Sequence, residues 1–181
     1  MEGRRRLYEM MRDEIPVEER VFGKEEDGLR SPFVQFLNCK NLLIENIYLH
    51  NSPFWSLHIV WCENGTVRGI TIENQTNSPN TDGVNIDASR HVLVEDCKFI
   101  TLGDDMLCLK AGRNEDGRAV GRCCEDVSCE DVELGIAIEG LFSAEMKNLH
   151  FKNIKMNAKT CFSSDTVDGL YTENLQLFSK E

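Results

Sequence analysis

Three aspartates carry the chemistry that this sequence offers. Asp82 lies in the stretch SPNTDGVNIDAS (78–89), and Asp104 and Asp105 lie in TLGDDMLCLKAG (101–112), with Asp82 and Asp104 separated by 22 residues. Carboxylates held close together repel one another, which raises the pKa of at least one and leaves a proton donor near neutral pH. A carboxylic acid facing carboxylates that activate a water is the layout of an inverting glycosidase, with carboxyl groups ~6.5–9.5 Å apart. Clustered carboxylates also suit a hard cation such as Ca²⁺, serving either structure or an elimination reaction. Taken singly, Asp-Gly in NTDG reads as a turn, and Gly-Asp-Asp says little. Their spacing against the rest of the chain gives them meaning.

That spacing belongs to a repeat. The pattern is apolar, any, apolar, two polar or small residues, apolar, any, apolar. It fits LLIENIYL (42–49), VRGITI (67–72, preceded by Gly65 and Thr66), VLVEDCKF (92–99), VSCEDVEL (127–134), LHFKNIKM (149–156) and LYTENLQL (170–177). The third positions are Ile44, Val67, Val94, Cys129, Phe151 and Thr172, at steps of 23, 27, 35, 22 and 21 residues. The second central residue is Asn46, Gly69, Asp96, Asp131, Asn153 and Asn174 in turn. Asn, Asp and Gly tolerate a left-handed backbone, so each unit reads as strand, one tight bend, strand. An antiparallel sandwich with irregular turns would not keep these residue types in one column. Units of this length that stack on copies of themselves make a solenoid. The expected fold is therefore an all-β, right-handed, single-stranded parallel β-helix of about six coils over residues 31–181. One coil later than Asp82 is one rung along the same face, with backbones ~4.8 Å apart, which brings the three aspartates together. The long step of 35 residues holds AGRNEDGRAVGR (111–122), an insertion of the kind that borders a binding cleft in a solenoid.

Residues 1–30 differ in texture: sixteen of these thirty are Asp, Glu, Lys or Arg, and Leu7, Met10 and Met11 share one face of a short helix. They are expected to form a charged N-terminal flank or cap. The chain has a formal charge of −11 and no basic stripe, which argues against nucleic acid. No apolar run approaches the ~18 residues of a membrane helix. The opening MEGRRRLYEMMRDE contains no apolar stretch of signal-peptide type. Eight cysteines fall within apolar stretches without a Cys-x-x-Cys pair, so they read as small buried hydrophobes. The four histidines lack ligand spacing, and neither a metal nor a cofactor is expected. Phe54 and Trp55 offer either a sugar-stacking platform or packing at a coil corner. The last repeat unit ends near Glu181 without an evident cap, so self-association through an open C-terminal coil is expected.

From about Phe33 to Gly121 the chain resembles glycoside hydrolase family 28, the polygalacturonases, in FVQFLNCKNLLIENIYLHNSPFWSLH, NTDGVNIDAS and GDDMLCLKAG. That resemblance implies a right-handed parallel β-helix that hydrolyses α-1,4-linked galacturonan, the backbone of pectin, by single displacement with inversion. It implies Asp104 as the general acid, Asp82 and Asp105 as the pair that orients and deprotonates water, Asn80 as the residue holding Asp82, and Lys110 as a contact for the uronate carboxylate. The family usually acts outside the cytoplasm. Its Gly-His-Gly and Arg-Ile-Lys motifs do not occur in this chain, where EDVELGIAIEGL (130–141) runs directly into the later coils, as if middle coils near 134–139 and some N-terminal coils were missing. Two other functions stay open at this stage. One is a carbohydrate-binding β-helix without turnover, and the other is a Ca²⁺-dependent lyase.

Overall fold

The computed structural model describes residues 30–181 apart from 77, 101, 112–118, 131–135, 141–145, 154, 159–161, 165–166 and 180–181. The charged flank expected at the N-terminus and most of the 111–122 insertion lie outside the described residues. The remaining chain winds through short strands in a repeating order. The first three rungs are β1 (Val34–Leu37), β2 (Lys40–Glu45) and β3 (Tyr48–His50), then β4 (Leu57–Val60), β5 (Glu63–Arg68) and β6 (Thr71–Glu73), then β7 (Val84–Asp87), β8 (Arg90–Glu95) and β9 (Lys98–Phe99). They are followed by β10 (Leu107–Ala111), β11 (Glu125–Glu130), β12 (Ile136–Gly140), β13 (Met146–Lys152), β14 (Lys155–Ala158), β15 (Phe162–Ser164), β16 (Val167–Glu173) and β17 (Gln176–Ser179).

Strands stack on their counterparts one coil away, always parallel. One six-stranded sheet runs β1-β4-β7-β10-β12-β15 and a second runs β2-β5-β8-β11-β13-β16. The third side comprises β3-β6-β9 and, separately, β14-β17. This is the all-β parallel solenoid expected from the repeat. The register matches the repeat column residue for residue: Ile44 pairs with Val67, Val67 with Val94, Val94 with Cys129, Cys129 with Phe151, and Phe151 with Thr172. The winding amounts to about four turns, slightly fewer than the six units counted.

Alternation within each strand builds the core. Leu57, Ile59, Val84, Ile86, Leu107 and Leu109 point inward from the first sheet, and Val67, Val92, Val94, Val127, Leu149 and Phe151 meet them from the second. Cys62, Cys97, Cys124 and Cys129 are buried as expected, and the cysteines among the described residues are free thiols. The predicted bend column is left-handed at Asn46, Gly69, Asp96, Asn153 and Asn174, while Asp131 lies outside the described residues. Two further left-handed columns were not anticipated. Asn41, Asn64, His91, Asp126, Asn148 and Gly169 form one inside the second sheet, and Asn38, Trp61 and Ala88 form another at the corner after the first sheet.

Candidate active site

The outward face of the first sheet carries the site. Along β7 and β10 the residues alternate with the core, so that Asn85 and Cys108 stand side by side in register, as do Asp87 and Lys110. Immediately before these strands the chain makes tight approaches that only glycine permits. A Cβ on Gly83 would lie 2.3 Å from the Met106 carbonyl oxygen, and one on Gly103 would lie 1.9 Å from the Ser78 carbonyl oxygen. These glycines flank Asp82 and Asp104 and fix where the two carboxylates leave the backbone. Hydrogen bonds hold the same turn. Thr81 Oγ1 donates to the Ser78 carbonyl (2.7 Å) and accepts from the Gly103 amide (3.1 Å). The buried Asn74 side chain donates to the Thr81 carbonyl and to Ser56 Oγ, and accepts from the Ser52 amide.

The register decides which carboxylates meet. Gly83 N donates to the Asp105 carbonyl and Val84 N to the Met106 carbonyl, both at 2.9 Å, so Asp105 stacks on Asp82 at a step of 23 residues. Asp104 lies one position away and is exposed, whereas Asp82 is only 2% exposed. A carboxylate oxygen of Asp82, one of Asp105 and the Cys108 sulfur all lie within 4.8 Å of one another.

Cations and rings frame this cluster. Lys110 Nζ lies 3.3 Å from Asp82 Oδ2, with side-chain exposures of 11% and 3%, and over the Trp55 ring at 4.1 Å. Phe54 stacks on Trp55 at 4.8 Å, and the Arg30 guanidinium covers Phe54 at 4.9 Å. Arg30 in turn donates to Asn80 Oδ1 (2.7 Å) and to the Pro79 carbonyl (2.8 Å). Asn80 Nδ2 donates to Asp104 Oδ2 at 3.3 Å, and the Asp105 amide donates to Asp104 Oδ1 at 3.0 Å. Burial pushes the Asp82 carboxyl above the usual carboxylate range; Lys110 pulls it back and the nearby Asp104 charge adds to the rise. Beneath the cluster, Asp82 Oδ1, His58 Nε2 and both amide atoms of Asn85 are buried without a hydrogen-bond partner among the described residues.

The family model described as Glycosyl hydrolases family 28 matches residues 22–119, more than half of the chain. The chain belongs to this family. A probable polygalacturonase from Vitis vinifera is 37% identical over 103 residues, covering 57% of this chain and 21% of that protein. A polygalacturonase from Juniperus ashei is 28% identical over 140 residues, covering 76% of this chain and 25% of its own length. Among solved structures, the crystal structure of a hyperthermoactive exopolygalacturonase from Thermotoga maritima matches with a TM-score of 0.60 at 31% identity, covering 93% of this chain and 44% of that one. The chain thus spans about a fifth to a quarter of the length of these curated relatives.

Within the family-28 frame, two expected contacts need correction. Asp82 stacks on Asp105, not on Asp104, because the first sheet advances 23 residues between β7 and β10 where the raw spacing had suggested 22. The Asn80 side chain engages Asp104 and Arg30 instead of Asp82, since it belongs to the turn beside Gly103. Lys110, expected at a substrate carboxylate, forms an ion pair with Asp82. The Phe54–Trp55 pair serves as a platform for two cations, Arg30 and Lys110. Sequence reasoning left out Arg30, Asn74 and Cys108. Arg30 sits in the charged flank, where nothing distinguishes it from its neighbours, and Cys108 is one apolar position among several. At the junction near 134–139, β12 stacks on β10 in unbroken register, Leu107 against Ile136.

Proposed function

We propose that this protein is a polygalacturonase-type glycosidase that cleaves α-1,4-linked galacturonan with inversion. In this reading Asp104, exposed at the mouth of the site, protonates the glycosidic oxygen. Asp82 and Asp105 hold the attacking water and take its proton, and Lys110 keeps Asp82 ionised despite its burial. The observation that carries the reading is the stacking of Asp82 on Asp105 with carboxylate oxygens within 4.8 Å, beside Asp104 and behind two glycines that tolerate no side chain. Family membership supplies the substrate class.

The test is release of reducing ends from polygalacturonate by the purified chain, with and without chelator, beside Asp104→Asn. Product from the parent, indifferent to chelator and reduced about 10²–10⁴-fold in the variant, is the expected outcome. A folded parent that forms no product overturns catalysis by this chain.

One observation favours the second reading, binding without turnover. Galacturonan is a polyanion and the chain carries −11. The Gly-His-Gly and Arg-Ile-Lys motifs are not in the sequence, and Lys110 and Arg30 are engaged by Asp82 and Asn80. Retention of oligogalacturonides without product is its signature. The Ca²⁺-dependent lyase has less support, because the third group beside Asp82 and Asp105 is a thiol, a soft donor unsuited to Ca²⁺.

A further inference from the structure

The group that the hydrolytic reading leaves unused is Cys108. It is fully buried, yet it points outward from the first sheet, away from the core that its neighbours Leu107 and Leu109 fill. Its sulfur and one oxygen each from Asp82 and Asp105 lie within 4.8 Å of one another. Two carboxylates and a thiol would not by themselves make a site. A separate observation points to a ligand. Asn85, in register beside Cys108 on the same outward face, has 0% exposure and neither amide atom bonded among the described residues. Asp82 Oδ1 is likewise buried and unpartnered. Leaving such atoms bare forfeits their hydration without a replacement bond, so this corner is built to receive something polar.

We propose that Asp82, Asp105 and Cys108 form a binding site for a thiophilic divalent cation of the zinc type, with the Asn85 amide oxygen beside it. The donor set is that of a borderline-soft ion: a thiolate with carboxylates selects zinc over calcium or magnesium. Bond lengths of about 2.0–2.3 Å in a tetrahedral arrangement put ligand atoms roughly 3.3–3.8 Å apart. The present spread closes to that with shifts of roughly 1 Å, of which the half-buried Asp105 on its turn is capable. Lys110 already occupies Asp82 Oδ2, so the ion takes Oδ1. Binding expels the thiol proton to solvent. Two carboxylates and one thiolate then balance the ion and the Lys110 ammonium, leaving the pocket neutral. An ion there holds both carboxylates assigned above to water activation, so it inhibits hydrolysis. The site itself does not rest on that assignment.

The experiment titrates Cd²⁺ into the full, reduced chain and follows the ultraviolet cadmium–thiolate charge-transfer band, with circular dichroism confirming the fold of each variant. The expected result is one equivalent bound, with affinity at least tenfold lower in Cys108→Ser and in Asp82→Asn and unchanged in Cys39→Ser and Cys123→Ser. Excess Ca²⁺ leaves the band in place. Absence of a band in the folded parent, survival of the band in Cys108→Ser, or its loss in Cys39→Ser or Cys123→Ser overturns the proposal. Should Cys108→Ser not fold, the cadmium nuclear resonance of the parent decides: a one-thiolate shift supports the site and a two-thiolate shift overturns it. Polygalacturonate hydrolysis is measured in parallel. If the parent hydrolyses the polymer, saturating Cd²⁺ abolishes the rate, and an unaffected rate beside an intact band overturns the inhibition, while the band alone decides the site. If it hydrolyses nothing, the band still decides, and only the hydrolytic reading falls.

Discussion

The Lys110 ammonium lies 3.3 Å from the buried carboxylate of Asp82, and it opposes the burial that raises the acid's pKa. Removing it in Lys110→Met leaves burial and the Asp104 charge to act alone, so the Asp82 pKa climbs further. In the proposed mechanism water activation needs Asp82 ionised, so the acid limb of the kcat/KM profile is expected to move to higher pH. Lys110→Arg keeps the limb near its original place. Lys110→Met is also expected to lose about 3–5 kcal/mol of stability near pH 7, the cost of stranding one partner of a buried pair. Because the folded-state pKa is raised, the penalty belongs to the ionised form and disappears as pH falls through that pKa. Urea titrations at several pH values check this, and a deficit that does not vary with pH would contradict it.

Trp55 bears on the same ion pair through its ring, 4.1 Å from Lys110 Nζ. A desolvated cation–π contact is worth up to about 2 kcal/mol. Trp55→Ala is expected to shift the acid limb in the direction of Lys110→Met, and Trp55→Phe to restore most of it. A fall in rate with no change in pH profile would assign the ring to substrate contact instead.

Two glycines separate steric from torsional constraint. Gly103→Ala drives a methyl into the Ser78 carbonyl, whereas at Gly121 nothing lies within 4 Å but φ is +63°. Overpacking at Gly103 is expected to cost about 1–3 kcal/mol and to displace Asp104. The left-handed backbone at Gly121 costs about 1–2 kcal/mol with the site intact. Denaturant midpoints and the rate on polygalacturonate distinguish the two.

Thiol reactivity reports the core directly. Burial pushes Cys97 up to about 11 and Cys124 up to about 12, and raises Cys129 as well. In the native protein at pH 8 these three resist an aromatic disulfide reagent, and among the described cysteines the half-buried Cys39 and Cys123 react first. Labelling followed by peptide mapping checks the order.

The bend column was legible because Asn, Asp or Gly fills its positive-φ position in every described coil. Asn153→Ala should therefore cost about 1–2 kcal/mol, and Asn153→Gly little, by thermal unfolding. The second column hid because His91 interrupts its Asn and Asp residues, and the corner column hid because Trp61 and Ala88 carry no compositional sign of a left-handed backbone. The aspartates were found by their residue types. Their pairing slipped by one residue because the 22-residue separation of Asp82 and Asp104 was read as one coil, while the first sheet advances 23 residues between β7 and β10. Arg30 and Trp55 acquire their roles only when the coil brings them beside Asn80 and Lys110.

Each strand of this solenoid rests only on the copies immediately above and below it, and that confines the reach of damage. The cluster around Asp82 and Asp105 depends on β4, β7, β10 and the turns between them. A lesion in β16 or β17 has several intact rungs to cross before it is felt there. Such a chain fails locally, fraying from an end while its middle stays wound. The rungs that carry Asp82 and Asp105 are each held by the strands stacked on either side of them.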